Sequence, residues 1–193
     1  MTIAGPDDPI PGRPRRVVVA GTSGSGKTTV AARIGAALAI PHVELDALHH
    51  GAGWVPRAEF VADVERFAAG GAWVCEWQYG ALRDLLASRA ELLVWLDLPR
   101  RTVMRQVVVR TLRRRFRHEV LWNGNVEPPL RTILTDPEHV VRWAWTGHRR
   151  TAPRVLAAAA RYPHLVVVRL GGRRAVRRWC AGPLRAAATT AAP

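Results

Sequence analysis

The sequence predicts an α/β fold: a five-stranded parallel sheet sandwiched by helices, with a helical lid insert. Three observations carry this. The chain has 193 residues, 48 % of them apolar, enough for one domain with a substantial core. Its apolar runs are continuous rather than alternating, which marks strands buried on both faces. The stretches between the runs repeat apolar residues at helical spacing, so strands and helices alternate along the chain.

Taken in order, residues 1–14 carry Pro6, Pro9, Pro11, Gly12 and Pro14 and read as a flexible leader. Residues 16–20 (RVVVA) form the first strand. A helix follows over 27–38, with Val30, Ile34, Ala37 and Leu38 on one stripe. The second strand is short, 42–45. Pro56 opens a helix in which Phe60, Val64 and Phe67 recur at helical spacing. Residues 72–76 (AWVCE) make the third strand, 81–88 a short helix, and 91–96 (ELLVWL) the fourth strand. After Asp97, read as a helix-capping residue, an arginine-loaded helix spans 100 to about 118. Residues 119–135, with Gly124, Pro128 and Pro129, read as a mobile insert. Pro137 begins a helix reaching about 161, and residues 164–170 (HLVVVRL) make the fifth strand. A last helix covers 174–181, and 186–193 form a loose tail. The kinase-like unit is thus 15–185, with the lid at about 113–150.

Between the first strand and its helix lies Gly21-Thr22-Ser23-Gly24-Ser25-Gly26-Lys27-Thr28, which satisfies G-x-x-x-x-G-K-[ST] in full. Such glycines let successive backbone amides point inward at phosphate oxygens. The new helix adds its positive end at the same place. Gly21, Ser23, Gly24, Ser25, Gly26, Lys27, Thr28 and Thr29 are therefore the expected ATP contacts. Lys27 brings an ammonium to the β- and γ-phosphates, and Thr28 a hydroxyl to Mg²⁺. Lys27 is also the only lysine of the chain. Arginine's planar fork does not replace a point charge at this position. The fold expected is thus the P-loop NTPase fold.

Among P-loop proteins several classes fall away. GTPases need an Asn-Lys-x-Asp motif, and no second lysine exists to build one. Transport ATPases need a Ser-Gly-Gly signature and more chain, and helicases and large motors also need more chain. Small-molecule, nucleoside and nucleotide kinases remain. The expected activity is transfer of the γ-phosphate of ATP to a small acceptor.

At this point the chain resembles a known family. Residues 21–29, His42-Val43-Glu44-Leu45-Asp46-Ala47-Leu48, Gly53-Trp54, Trp73 with Gln78-Tyr79, and Leu96-Asp97-Leu98-Pro99 are similar to the adenylate-kinase-like topology modulation family of P-loop kinases. Leu121-Trp122-Asn123-Gly124-Asn125-x-Glu127 and Trp143-Ala144-Trp145-Thr146-x-His148-Arg149 resemble its actinobacterial branch. The resemblance covers roughly residues 15–182 and implies a kinase without naming its acceptor. One departure stands out. Such proteins commonly end the third strand in Asp-Gly-Asn-Tyr, where this chain has Glu76-Trp77-Gln78-Tyr79. Glu76 keeps a carboxylate for the magnesium site, and Trp77 narrows the acceptor space.

Asp46 closes the second strand and is expected to face the acceptor as a catalytic residue, its bland alternative being a cap or turn carboxylate. Arginines crowd the 100–118 helix. A solvated face is the usual reading, yet stacked arginines are easier to justify beside a polyphosphate. By position Arg110 and Arg114 are the candidates for the transferring phosphate, and Arg149 and Arg150, just after the lid, for ATP. Asn123 and Asn125 form either an Asx turn or a lid loop gripping phosphate or ribose. His49 and His50 are expected to be solvated loop rings, and Trp54 can stack on an acceptor ring.

The formal charge is +14, which raises a second reading: a nucleic-acid-binding regulator that uses ATP as a switch. Coding bias toward Ala, Arg, Gly and Pro weakens it, and no helix-turn-helix, RRM or OB signature stands out. A P-loop protein without turnover is a third reading. Two cysteines, Cys75 and Cys180, point to neither a disulfide framework nor a zinc site. No apolar run approaches the ~20 residues of a membrane helix, so no membrane partner and a cytoplasmic location are expected.

Overall fold

The structure, a computed structural model, describes residues 3–129, 132–135 and 140–190. Its strands are β1 (Ile3–Ala4), β2 (Arg16–Gly21), β3 (His42–Val43), β4 (Trp73–Glu76), β5 (Leu92–Leu96) and β6 (Val166–Leu170). They form one parallel sheet in the order β1-β6-β5-β2-β4-β3. The β-branched run of β2 explains its central place. Val17, Val18, Val19 and Ala20 are wholly buried, and a strand covered on both faces needs apolar residues at every position.

The pleat sends alternate residues to opposite faces. Val18, Ala20, Cys75, Leu93 and Trp95 pack on one side with α3 (Phe60–Ala68), α4 (Arg83–Arg89) and the far half of α7 (Val140–Arg161). Val17, Val19, Val74, Leu92 and Val94 pack on the other with α1 (Lys27–Leu38), α8 (Arg173–Ala181) and α9 (Pro183–Thr189). The remaining helices are α2 (Leu45–His49), α5 (Arg100–Phe116) and the short α6 (Thr132–Thr135). On α5 the buried residues are Val103, Val107 and Thr111. That single i, i+4, i+8 stripe leaves the arginines on its other faces.

Several expectations are corrected. The sheet has six strands, not five, because the leader is not free. Ile3 and Ala4 pair with Val167 and Val168, Ile10 is buried in the core beside α1, and Arg13 Nη2 donates to Leu38 O at 2.8 Å. The tail begins as the helix α9, held by buried Leu184 and Ala187. Residues 191–193 and the expected helix start at Pro137 lie outside the described residues. The second strand stops at Val43. The Leu45 amide turns to Glu76 Oε2 at 3.4 Å, and Leu45 opens α2. The helix expected from Pro56 begins only at Phe60, since residues 50–56 close a tight loop through Gly51 N to Val55 O at 2.7 Å. Asp97 caps no helix. Its carboxylate pairs with Arg169 at 2.6 Å, and Pro99 precedes α5 without a side-chain cap.

A candidate phosphate-transfer cleft

The loop after β2 rises at the carboxyl end of the sheet's centre and turns into α1. Gly26, at φ 93°, is the helix N-cap, a left-handed position that favours glycine. Gly24, at φ 82°, approaches α5 so closely that a Cβ would stand 2.8 Å from Val107 Cβ. The loop is thus braced from behind, with its amides left to the front. Ser25 Oγ is buried without a hydrogen-bond partner. Lys27 is only 9 % exposed, and its ammonium donates to Thr22 O at 3.3 Å. Burial pushes its pKa below the ordinary value; Asp46 and Glu76 pull it back up, and Arg110 and Arg83 push it further down. A half-satisfied, buried ammonium beside a ring of free amides has the chemistry of a polyphosphate site.

Glu76 ends β4, the strand beside β2. It is 3 % exposed and lies 3.3 Å from His42 Nε2. Burial raises its pKa, but hydrogen bonds from His42, its own amide and the Thr28 hydroxyl outweigh that and hold it below the ordinary carboxylate range. The anion is therefore prepared, with Thr28 already within its reach. Among the described residues no cluster of three or more His, Cys, Asp or Glu could hold a metal by itself. Thr28 and Glu76 fit magnesium, which takes few protein ligands and fills its shell with waters and substrate phosphates.

Asp46 lies in the first turn of α2 rather than at the end of a strand. Its Oδ1 accepts from Gln78 Nε2 at 2.6 Å and from Tyr79 OH at 2.7 Å. Burial and then Asp46 push the Tyr79 phenol far above its usual range, so the phenol stays a donor. Tyr79 sits at φ 59°, a sparsely populated backbone state of the kind that gathers at functional sites. The histidines are not solvated loop rings. The His49 ring centroid is 4.4 Å from that of Tyr79 and 4.7 Å from that of Phe60. The His50 centroid is 5.0 Å from that of Trp54. Burial, then His50, lowers the His49 pKa against the pull of Asp46.

Arg110 and Arg114 project from α5 into the same space. Arg110 makes no ion pair among the described residues, and its Nε is hidden from solvent without a partner. Burial and then Arg114 lower its pKa, while Glu127 and Asp46 oppose them. Arg114 instead stands 3.8 Å from Glu119 and 4.0 Å from Glu127, with Trp122 beneath it at 5.9 Å.

The insert is clasped to the loop after α2. Asn125 Oδ1 accepts from the Trp54 amide at 2.9 Å, and its Nδ2 donates to Gly51 O and Trp122 O, each at 2.8 Å. Asn123 donates to His50 O, and Trp122 Nε1 to Glu44 Oε2 at 2.8 Å. The two asparagines thus join two parts of the chain. Asn125→Ala removes three bonds at a residue 5 % exposed, and should cost about 1–3 kcal/mol in a urea melt.

These groups surround one cleft of about 1560 Å³. Gly21, Ser23, Gly24, Gly26, Lys27, Thr28, Thr29, Asp46, Arg110 and Arg114 line it. Arg149 and Arg150 do not; both are exposed on α7. The face that α7 turns inward is Val140, Trp143, Gly147, Thr151 and Arg154, a helical stripe that misses 149 and 150. Thr151 Oγ1 reaches Thr22 Oγ1 at 3.3 Å. Sequence reasoning also passed over Arg83, Arg105 and Arg173, which line the cleft from α4, α5 and α8. Helical phase counted along 140–161 could have found Thr151 and Arg154.

No family profile and no curated protein sequence matches this chain. Solved structures do. A gluconokinase from Sinorhizobium meliloti 1021 is 21 % identical, with a TM-score of 0.51 over 92 % of this chain and 95 % of that one. A shikimate kinase from Bacteroides thetaiotaomicron is 14 % identical, with a TM-score of 0.49 over 87 % and 95 %. At such identities the likeness is one of architecture, and on the first of these the chain has the α/β fold of the P-loop kinases.

Proposed function

We propose that this protein is a kinase that transfers the γ-phosphate of ATP, with Mg²⁺, to a hydroxyl of a small acceptor. One observation carries the reading. The braced loop with Lys27, the Thr28–Glu76 pair, unpaired Arg110 and half-used Asp46 all belong to one cleft at the carboxyl ends of the strands, where open α/β sheets bind their ligands.

The loop amides and Lys27 hold the β- and γ-phosphates. Thr28 and Glu76 hold the metal, Glu76 through a bound water; the metal, when bound, neutralises phosphate charge and orients the oxygens. Gln78 and Tyr79 occupy Asp46 Oδ1, which leaves Oδ2 to take the acceptor's proton. The hydroxyl oxygen forms a bond to the γ-phosphorus as the bond to the bridging oxygen breaks, and ADP leaves. Arg110 meets the charge that develops on the phosphoryl oxygens. A smaller hollow, of about 400 Å³, shares Arg105, Gln106 and Arg173 with the cleft; we place the adenosine end there, where a guanidinium plane can stack on a base. Residues 113–150 act as the lid in a single kinase unit, 15–185. The reading keeps the topology modulation family as its nearest kin. A cytoplasmic location suits an ATP user, and no helix among the described residues is long and apolar enough to cross a membrane.

ADP release screened over nucleotides, nucleosides, sugars and amino-alcohols tests this. Acceptor-dependent release supports it. Acceptor-independent hydrolysis, with DNA binding that falls steeply with salt, would replace it by the regulator reading. With the acceptor found, Asp46→Asn should lower kcat by ~10²-fold or more and leave the ATP KM nearly unchanged. A loss confined to acceptor KM would make Asp46 a positioning residue.

A further inference from the structure

Arg83 opens α4 and Arg154 lies on the inward stripe of α7, and both line the cleft. Neither makes an ion pair or a side-chain hydrogen bond among the described residues, although most arginines around them have carboxylate or carbonyl partners. Arg83 is half-buried, with its guanidinium 6.0 Å from the Trp77 ring. Burial, then Arg154, lowers its pKa, as two neighbouring cations without a counterion require. Folding two guanidiniums toward each other is unfavourable unless something anionic arrives between them.

Their place tells what that anion belongs to. Arg83 follows Trp77, Gln78, Tyr79 and Gly80, the wall that holds Asp46. Arg154 is three residues beyond Thr151, which touches the phosphate loop at Thr22, and so about 4.5 Å further along the helix. The pair therefore stands past the transfer point, on the side of Asp46. The donor phosphates already have the loop amides, Lys27 and Arg110. Cationic side chains along the cleft still far outnumber carboxylates, whereas ATP with its magnesium carries only about two negative charges.

We propose that Arg83 and Arg154 form an oxyanion clamp for the acceptor, so that the substrate is an anionic hydroxyl compound carrying a carboxylate or a phosphate beside the hydroxyl it offers. This rests on the kinase reading, and deepens it by naming the acceptor's chemical class.

The test loads the full chain with a non-hydrolysable ATP analogue and Mg²⁺, then titrates inorganic phosphate and, separately, acetate, by calorimetry. Saturable binding of one of them, weakened about tenfold or more in both Arg83→Gln and Arg154→Gln, supports the clamp. The anion that binds better tells phosphate from carboxylate. Nucleotide affinity is measured in the same samples and should stay unchanged. Apo stability in urea should be equal or higher in both variants, since each removes one of two like charges. Anion binding equal in wild type and variants, or no anion binding to the loaded protein, overturns the proposal. So does a loss of nucleotide affinity, which would assign the arginines to the donor. A chain that fails to bind the analogue at all would instead sink the kinase reading. Once turnover is found, hydroxy acids or hydroxyalkyl phosphates should outperform the matching neutral alcohols, with the difference in KM and abolished in the double variant.

Discussion

Lys27→Met abolishes phosphotransfer, by ~10³-fold or more, and yet leaves a protein more stable than the wild type. Both effects come from one cause. In the empty cleft the ammonium is buried with a single carbonyl at 3.3 Å, so folding disfavours its charge and lowers its pKa. That arrangement costs stability in the apo state and is repaid only when phosphate oxygens arrive. The sign of the pH dependence follows. The unfolded chain holds this proton up to the ordinary value of 10.5, the folded chain only to a lower pH. Between the two, the unfolded state binds more protons, and wild-type stability rises with pH. The stability gap between Lys27→Met and wild type should therefore be full at neutral pH and close as pH climbs toward 10.5. Urea melts across pH measure it, and ADP release measures the activity. Equal stability at neutral pH with retained turnover would remove Lys27 from the site. A preorganised cation facing a transferring phosphate is worth this much because it acts in a partly dehydrated cleft.

Arg110→Ala should lower kcat by ~10³-fold with little change in ATP affinity, while Arg114→Ala should do less to kcat and more to stability. Arginine clamps of this kind contribute 10³–10⁵-fold elsewhere. The two residues separate by their partners. Arg110 has no ion pair among the described residues and a solvent-hidden, unpartnered Nε, so its hydrogen-bonding capacity is held for something absent from the resting cleft. Arg114 already has Glu119, Glu127 and the Trp122 ring within reach; it helps hold the insert that is clasped over the acceptor side. Single-turnover rates beside equilibrium ATP binding distinguish them. If Arg110→Ala weakens ATP binding and leaves the rate of bound complex intact, Arg110 belongs to donor binding.

The parts of this protein determined by sequence alone are those whose signal is local. A continuous β-branched run can only be a strand buried on both faces, and the glycine spacing of 21–28 has few other uses in front of an amphipathic helix. The central strands and α1 are accordingly where periodicity puts them. Short elements behave otherwise. Ile3–Ala4 becomes a strand because β6 offers it an edge, which no pattern in a proline-rich leader announces. Residue 45 leaves the sheet because Glu76, thirty-one positions away, takes its amide. Asp46 is legible as a carboxylate of the cleft, but its partners Gln78 and Tyr79 are set by the β4–β3 neighbourhood. The insert's asparagines read as a turn, and only the packed structure turns them into a clasp on residues 47–54. Arg149 and Arg150 were chosen by proximity along the chain, whereas the phase of α7 puts Thr151 and Arg154 inward. Local sequence sets which residues can be strand, loop or helix, because backbone sterics and side-chain periodicity act within a few residues. Which side chains share the cleft depends on strand order and helix rotation. Those are settled by burial summed over the whole chain, and that is where Arg83 meets Arg154.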